Sequence, residues 1–177
     1  MIIAPEIMTV GGTYFNFLNP EQSEVRIEDL AHALSNINRY TGHTTKPYNV
    51  AQHCVLGSYR IAPEFAYEFL MHDTAEALIG DVATPLKNMM PEYKVIEKRV
   101  ELDLARRFGL SYPMLPEVRE VDLRMLATEV RDLMPAECQN WEILQGVQPY
   151  EEVILPWTAE KSKIAFLQRY EQLTKGK

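Results

Sequence analysis

The sequence predicts an all-α protein with a short N-terminal β-hairpin, and three observations carry that prediction. Apolar residues recur at three- and four-residue spacings, beginning with Ile27, Leu30, Ala31, Leu34 and Ile37. Prolines stand where helices would open, at Pro63, Pro91 and Pro116, and Gly109 stands where one would stop. Strand-like segments are confined to the stretch before Pro20.

Taken in order, Gly11-Gly12 makes a turn between extended pieces at Ile7 to Val10 and Thr13 to Leu18, and Asn19-Pro20 closes the second. The stripe from Ile27 gives a first helix, ended by the polar loop Asn38-Arg39-Tyr40-Thr41-Gly42-His43. A second helix is expected from Val50 to Tyr59. A third, opened by Pro63, carries His72-Asp73. Gly80 to Lys87, polar and Pro-containing, is expected to be a loop. Pro91 opens a fourth helix through Phe108, ended by Gly109, and Pro116 a fifth through Val130. Pro135 to Pro156 is irregular, and a last helix spans about Ala159 to Leu173.

The 177 residues and 20.4 kDa fit one domain over 1–177, long enough to bury a core, with the hairpin at about 7–18, the core at about 27–135 and the C-terminal helix at about 159–173. No linker, repeat or low-complexity tract divides it. Two cysteines, Cys54 and Cys138, are too few for a disulfide framework or a Cys-based zinc site, and buried thiols in a reducing compartment are expected. The absence of a long apolar run, and of a basic then apolar start after Met1, argues against membrane insertion and secretion and for a cytoplasmic protein. A net charge of −7 argues against binding a nucleic-acid polymer, while leaving room for a small basic pocket that takes a nucleotide.

The chemistry concentrates in Phe69-Leu70-Met71-His72-Asp73-Thr74-Ala75-Glu76-Ala77-Leu78, where three ionisable groups are set in apolar sequence and need partners. A divalent metal suits imidazole and carboxylate together. Consecutive helical residues leave the axis about 100° apart, so His72 and Asp73 reach one ion only from a helix edge. Glu76 follows on the same side. His53 and Asp122, each among apolar residues, are further candidates. Competing readings stand beside these. Asp73 can simply orient a structural histidine, and Asp122 can pair with Arg119 or Arg124. Arg39 and Lys87 can be solvated, and His43 can face water.

The ordered set His53, His72-Asp73, Asp122, with Glu76 and Asp81-Val82-Ala83-Thr84-Pro85-Leu86-Lys87 behind it, resembles the HD-domain phosphohydrolases. The similarity covers roughly residues 27 to 135. It lies nearest the small stand-alone 5'-deoxynucleotidases and their phage relatives that hydrolyse deoxyadenosine triphosphate (dATP). The resemblance implies an HD-domain helical bundle with His53, His72, Asp73 and Asp122 as ligands to one or two divalent ions (Co, Mn, Zn, Mg or Ni). It makes Glu76 the residue that handles the proton and Asp81 an acidic residue beside the phosphate. Arg39 matches a substrate-binding arginine. Tyr40 stands where a tryptophan is familiar, and Lys87 matches a basic residue near the phosphates. Gln52, beside His53, is a candidate to read an adenine edge, and His43 to touch phosphate or sugar. The implied activity is metal-dependent hydrolysis of a deoxynucleotide. Splitting dATP into deoxynucleoside and triphosphate leads, since the loop offers more cations than one phosphate needs. Phosphate release from deoxynucleoside monophosphates is the alternative, and nucleotide binding without turnover is a third reading. A homo-oligomer, dimer or hexamer, is implied by the resemblance alone.

Overall fold

The computed structural model describes residues 4–175; the ends of the expected 1–177 span, including the Met1-Ile2-Ile3 start, lie outside the described residues. The chain builds a helical bundle carrying one small hairpin. Strands β1 (Glu6–Met8) and β2 (Tyr14–Asn16) pair antiparallel, with Glu6 opposite Asn16 and Met8 opposite Tyr14. They are shorter than the apolar pattern suggests, because Thr9 to Thr13 is drawn into the turn by Thr9 N–H donating to the Thr13 carbonyl. The turn docks on the next helix. Thr9 Oγ1 donates to Asp29 Oδ2 at 2.8 Å, and a Cβ at Gly11 would press on that same carboxylate.

Helix α1 (Ile27–Asn36) buries Leu30, Ala31 and Leu34, the stripe read from the sequence. Helix α2 (Val50–Ser58) is buried nearly all round, as its lack of a polar face requires, and Asn49 caps it by accepting from Gln52 N–H at 2.9 Å. The segment between α1 and α2 leaves and returns through one neck. Val50 N–H donates to the Ile37 carbonyl at 3.0 Å and Arg39 N–H to the Tyr48 carbonyl at 2.9 Å. Arg39 is thereby fixed at the base of a polar excursion.

After a single turn at Pro63–Phe65 comes α3 (Ala66–Met71), then α4 (Glu76–Ile79) and the one-turn α5 (Thr84–Lys87). Two expectations are corrected here. The doublet His72-Asp73 does not ride on a continuous helix. At residues 72–75 the chain tightens into bonds that reach back three residues, Thr74 N–H to Met71 and Glu76 N–H to Asp73. The stretch expected to be a loop from Gly80 to Lys87 is helical over its second half, since Pro85 fits the first turn of α5 and only Gly80, at φ 81°, breaks the path.

Helix α6 (Pro91–Phe108) stops at Gly109 in the left-handed conformation, and α7 (Pro116–Leu133) runs one turn past the expected Val130. Short turns at Ala136–Asn140 and Glu142–Leu144 precede α8 (Ala159–Thr174), which packs on α1, α2 and α3. The irregular segment before α8 is pinned by Tyr150 N–H donating to Thr128 Oγ1, Ile154 N–H donating to Asp132 Oδ2, and Arg131 donating to the Tyr150 and Glu152 carbonyls.

Three apolar clusters fill the bundle. One lies among α1, α2, α3 and α8 around Leu34, Val55 and Phe166. A second joins α3 to α7 through Phe69, Val118 and Met125, and the third seats Phe15 of the hairpin against Leu30 and Leu104. Helices α2 and α3 approach so closely at Gly57 that an added Cβ would overlap the Phe69 ring. We predict that Gly57→Ala destabilises the protein by about 1–3 kcal/mol through overpacking. The check is thermal unfolding, with a midpoint lowered by about 2–4 °C for each kcal/mol.

Candidate metal centre

Helix α2, the tightened turn after α3, and α7 converge on one point. His53 comes from α2, His72 and Asp73 from the turn, and Asp122 from α7. His53 Nε2 lies 3.2 Å from Asp122 Oδ1 and 3.7 Å from Asp73 Oδ2. His72 Nε2 lies 3.2 Å from Asp73 Oδ1 and 3.9 Å from Asp122 Oδ1. Ligand atoms of His53, His72 and Asp122 all fall within 4.8 Å of one another, a spacing that can hold a metal ion.

The imidazoles are oriented from behind. His72 Nδ1 donates to the Phe69 carbonyl at 2.7 Å, a bond made possible by the helix loosening at this point. His53 Nδ1 donates to Glu129 Oε1 at 2.6 Å. Each ring therefore spends its Nδ1 hydrogen on a protein acceptor and turns Nε2 inward. Both Nε2 atoms are buried and lack a hydrogen-bond partner among the described residues. Two orphaned imidazole nitrogens facing carboxylates are what a divalent cation satisfies, and the N/O donor set suits Zn, Mn, Co, Ni or Fe.

The ion-pair reading of Asp122 finds no support in the geometry. Arg124 lies over the Tyr150 ring, its guanidinium carbon 4.0 Å from the centroid, and donates to the Gln148 carbonyl. Burial pushes the Asp122 carboxyl up, but His53 and His72 outweigh it and hold the group well below the usual carboxylate range. His53 is raised to about 9: burial and Arg39 push it down, and the carboxylates of Glu129 and Asp122 more than reverse that.

The sequence reasoning missed Glu129. This side chain has no solvent exposure, yet its carboxylate takes four donors: His53 Nδ1 and Tyr48 Oη on Oε1, and Tyr40 Oη and Arg39 Nε on Oε2. Burial pushes its carboxyl up, but Arg39 and His53 bring it down to about 2, so it is ionised. A signal was present. Glu129 follows Asp122 by two helical turns and so shares its face of α7.

The remaining candidates divide. Arg39 reaches the centre, with Nη1 3.5 Å from Asp73 Oδ2 and Nε on Glu129. Tyr40 turns its hydroxyl inward to Glu129, 2.6 Å away, while its ring lies 6.4 Å from that of Trp141. Glu76 opens α4 with Oε2 buried and unpartnered; burial, with Asp73 and Asp81, lifts its carboxyl well above the usual value. Asp81 is lifted by burial as well. Lys87 pairs with Glu97 at 2.5 Å. His43 is exposed and makes no side-chain contact with the centre among the described residues.

Gln52 requires correction. It is fully buried, with Nε2 donating to the Leu155 carbonyl and Oε1 accepting from Trp157 N–H, both at 2.8 Å. Both ends of the amide pin the segment before α8, leaving nothing with which to read a base. Of the two thiols expected to be buried, Cys54 is and Cys138 is only half-buried; the Cys54 sulfur joins His72 and Asp73 in a second tight group, and burial and the Asp73 carboxylate push its thiol up. A cavity of 90 Å³ borders His72 from the α6 and α7 side, lined by Glu101, Leu104, Tyr112 and Val118, and does not include Arg39 or Asp122.

No family model matches the chain. It is 37% identical over 169 residues to YfdR of Escherichia coli, an uncharacterised protein, with 95% of each chain covered. An uncharacterised protein of Rhodobacter capsulatus is 31% identical over 148 residues, 74% of this chain and 76% of that one. The 5'-deoxynucleotidase of Vibrio cholerae is 33% identical over 107 residues, 60% of this chain and 46% of that enzyme. Among the described residues, no helix is long and apolar enough to cross a membrane.

Replacing Asp122 by Ala is expected to strip the protein of tightly held divalent metal without unfolding it, whereas His53→Ala removes the metal and, by taking a donor from buried Glu129, also lowers stability. Metal content after dialysis against Mn²⁺ or Co²⁺, measured by mass spectrometry beside a circular dichroism spectrum, is the check. Wild-type stoichiometry in Asp122→Ala would remove Asp122 from the site.

Proposed function

This chain belongs to the family of Escherichia coli YfdR, and from the geometry above and the partial similarity to a 5'-deoxynucleotidase we propose that it is a metal-dependent phosphohydrolase of the HD-domain type acting on deoxynucleotides. The carrying observation is the pair of buried imidazole Nε2 atoms turned toward Asp73 and Asp122, each ring fixed from behind through Nδ1. The partial similarity to a 5'-deoxynucleotidase supports the nucleotide as substrate class.

His53, His72, Asp73 and Asp122 would hold the ion. A bound divalent cation supplies Lewis acidity toward a phosphoryl oxygen and makes water acidic enough to serve as nucleophile at neutral pH. The other roles belong to the chain itself. Arg39, fixed at the neck of its loop, offers a guanidinium to the phosphate, and its charge is balanced by Asp73 and Glu129 until substrate arrives. Glu76 keeps its proton in a buried setting crowded by Asp73 and Asp81, which suits a general acid that protonates the departing 5'-oxygen. Asp81 adds to the negative field that keeps Glu76 protonated.

Two substrates share this chemistry, because both reactions cleave between the 5'-oxygen and the α-phosphorus. Release of triphosphate from dATP requires cations beyond Arg39. Lys87 and His43 are the candidates, and the Glu97 pair must yield Lys87 before it can serve. Release of phosphate from a monophosphate needs only Arg39 and the metal, and the name of the Vibrio cholerae relative favours it as the second reading.

The deciding experiment incubates purified protein with Mn²⁺, Co²⁺ or Mg²⁺ and each deoxynucleotide as mono- and triphosphate. Deoxyadenosine with intact triphosphate identifies a triphosphohydrolase; orthophosphate from monophosphates alone identifies a nucleotidase. No turnover of any deoxynucleotide would overturn the proposal. Glu76→Gln is expected to lower kcat by about 100- to 10,000-fold while leaving metal content unchanged. Equal loss of metal and activity would instead place Glu76 among the ligands.

A further inference from the structure

The inward-facing imidazole of His53 and the turn that carries Arg39 and Tyr40 are held by opposite oxygens of one buried carboxylate. Glu129 Oε1 accepts from His53 Nδ1 at 2.6 Å and from Tyr48 Oη at 3.0 Å, while Oε2 accepts from Tyr40 Oη at 2.6 Å and Arg39 Nε at 3.2 Å. The turn on the Oε2 side is not one that the backbone adopts freely. Tyr40 and Thr41 have φ of 56° and 53°, two successive non-glycine residues in the left-handed region. Such a conformation persists only where the surroundings over-determine it. The loop is fixed on either side, at Arg39 N–H to the Tyr48 carbonyl and at Thr45 N–H to the Leu133 carbonyl. Between those points, the Tyr40 hydroxyl bonds Glu129 and its ring lies 6.4 Å from that of Trp141, while the turn is exposed at Thr41, Gly42 and His43.

We propose that Glu129 is a positioning residue that couples metal occupancy at His53 to the conformation of the Arg39–Tyr40 turn, an inference that rests on the metal-centre reading above. The Oε1 side fixes the tautomer and the plane of the imidazole, so Nε2 presents its lone pair to the ion. The Oε2 side fixes Tyr40 and, with it, the guanidinium that meets the phosphate. A ligand that locks the His53 ring restricts the carboxylate and narrows the positions open to Tyr40 and Arg39. By linkage, an ordered turn favours the metal to the same degree that the metal favours an ordered turn. Tyr48 stands apart, since it is fully buried in the core and anchors Glu129 without reaching the exposed turn.

The test uses the full chain, Co²⁺ as the metal, and two variants, Glu129→Gln and Tyr40→Phe. Glu129→Gln keeps the shape but removes the charge, and is expected to lower Co²⁺ affinity by about 10- to 100-fold by calorimetry. Tyr40→Phe removes one of the two bonds on Oε2 and leaves His53 on Oε1 in place, so by the same linkage it is expected to lower Co²⁺ affinity by no more than the factor by which Co²⁺ slows exchange at the turn, about tenfold. Hydrogen exchange reads the coupling directly. In the wild type, Co²⁺ is expected to slow exchange at residues 40–44, among them the His43 amide that donates to the Tyr40 carbonyl, by about tenfold. In Tyr40→Phe that slowing disappears. Wild-type affinity in a folded Glu129→Gln overturns the proposal, as does equal slowing in the wild type and Tyr40→Phe. Should Glu129→Gln fail to fold, the Tyr40→Phe exchange decides alone. A wild type that binds no Co²⁺, or binds it equally after His53→Ala, sinks the metal-centre reading itself and this inference with it.

Discussion

A carboxylate with no access to water must be surrounded by donors, and the arrangement around Glu129 follows from that requirement. Four groups from three parts of the chain answer it: His53 of α2, Tyr48 just before α2, and Arg39 and Tyr40 of the excursion between α1 and α2. Removing one partner from such a group leaves a buried charge under-compensated, which is far more costly than the net worth of the contact. The loop is consequently not free to drift from α7, and α2 is not free to rotate about its axis. The site and the packing of α2 against α7 are set by the same bonds.

The second constraint is the break between α3 and α4. An uninterrupted helix would commit the Phe69 carbonyl to the amide four residues on and would splay His72 and Asp73 by about 100°. The three-residue bonds at Thr74 and Glu76 relax that commitment, and the Phe69 carbonyl accepts from His72 Nδ1 instead. Thr74, fully within the core, satisfies the Met71 carbonyl with its own hydroxyl at 2.7 Å. Backbone groups that a regular helix would have used internally thus become the support for an inward-facing imidazole. The same tightening carries Glu76 to the start of α4 with one carboxylate oxygen buried.

Most of the fold was legible because its signals are local. Prolines marked where α6 and α7 open and a glycine where α6 stops, and the stripe from Ile27 to Ile37 named the buried face of α1. The break at His72 was not legible, since every residue from Phe69 to Leu78 is compatible with a helix and the cause is a tertiary need to aim two side chains at one point. The four residues now found together were visible only as types in an apolar setting, for nothing in their spacing states that α2, the turn and α7 meet. Glu129 was overlooked for a related reason. On sequence, a glutamate between Thr128 and Val130 reads as an exposed helix position, and only its phase relative to Asp122 marks it as inward. Gln52 failed in the opposite sense: its neighbour His53 drew it toward the chemistry, but its amide is consumed by Leu155 and Trp157, about a hundred residues away in sequence.

A nucleotide-binding protein without turnover would need Arg39 and a pocket, but would gain nothing from the rest of this arrangement. Without a cation, the inner nitrogens of the two imidazoles face the Asp73 and Asp122 carboxylates with no hydrogen bond of good geometry, an arrangement that packing alone does not call for. Glu76 adds a further buried oxygen without a hydrogen-bond partner, on a carboxyl that burial and the neighbouring Asp73 and Asp81 push toward its neutral form. Apolar replacements at these positions would pack the junction of α2, α3 and α7 at lower cost. Groups held in unfavourable states and aimed at one another make sense where a cation and a reacting phosphate complete them. In that setting the acidity of Glu76 and the fixed tautomers of His53 and His72 are requirements of the chemistry rather than burdens on the fold.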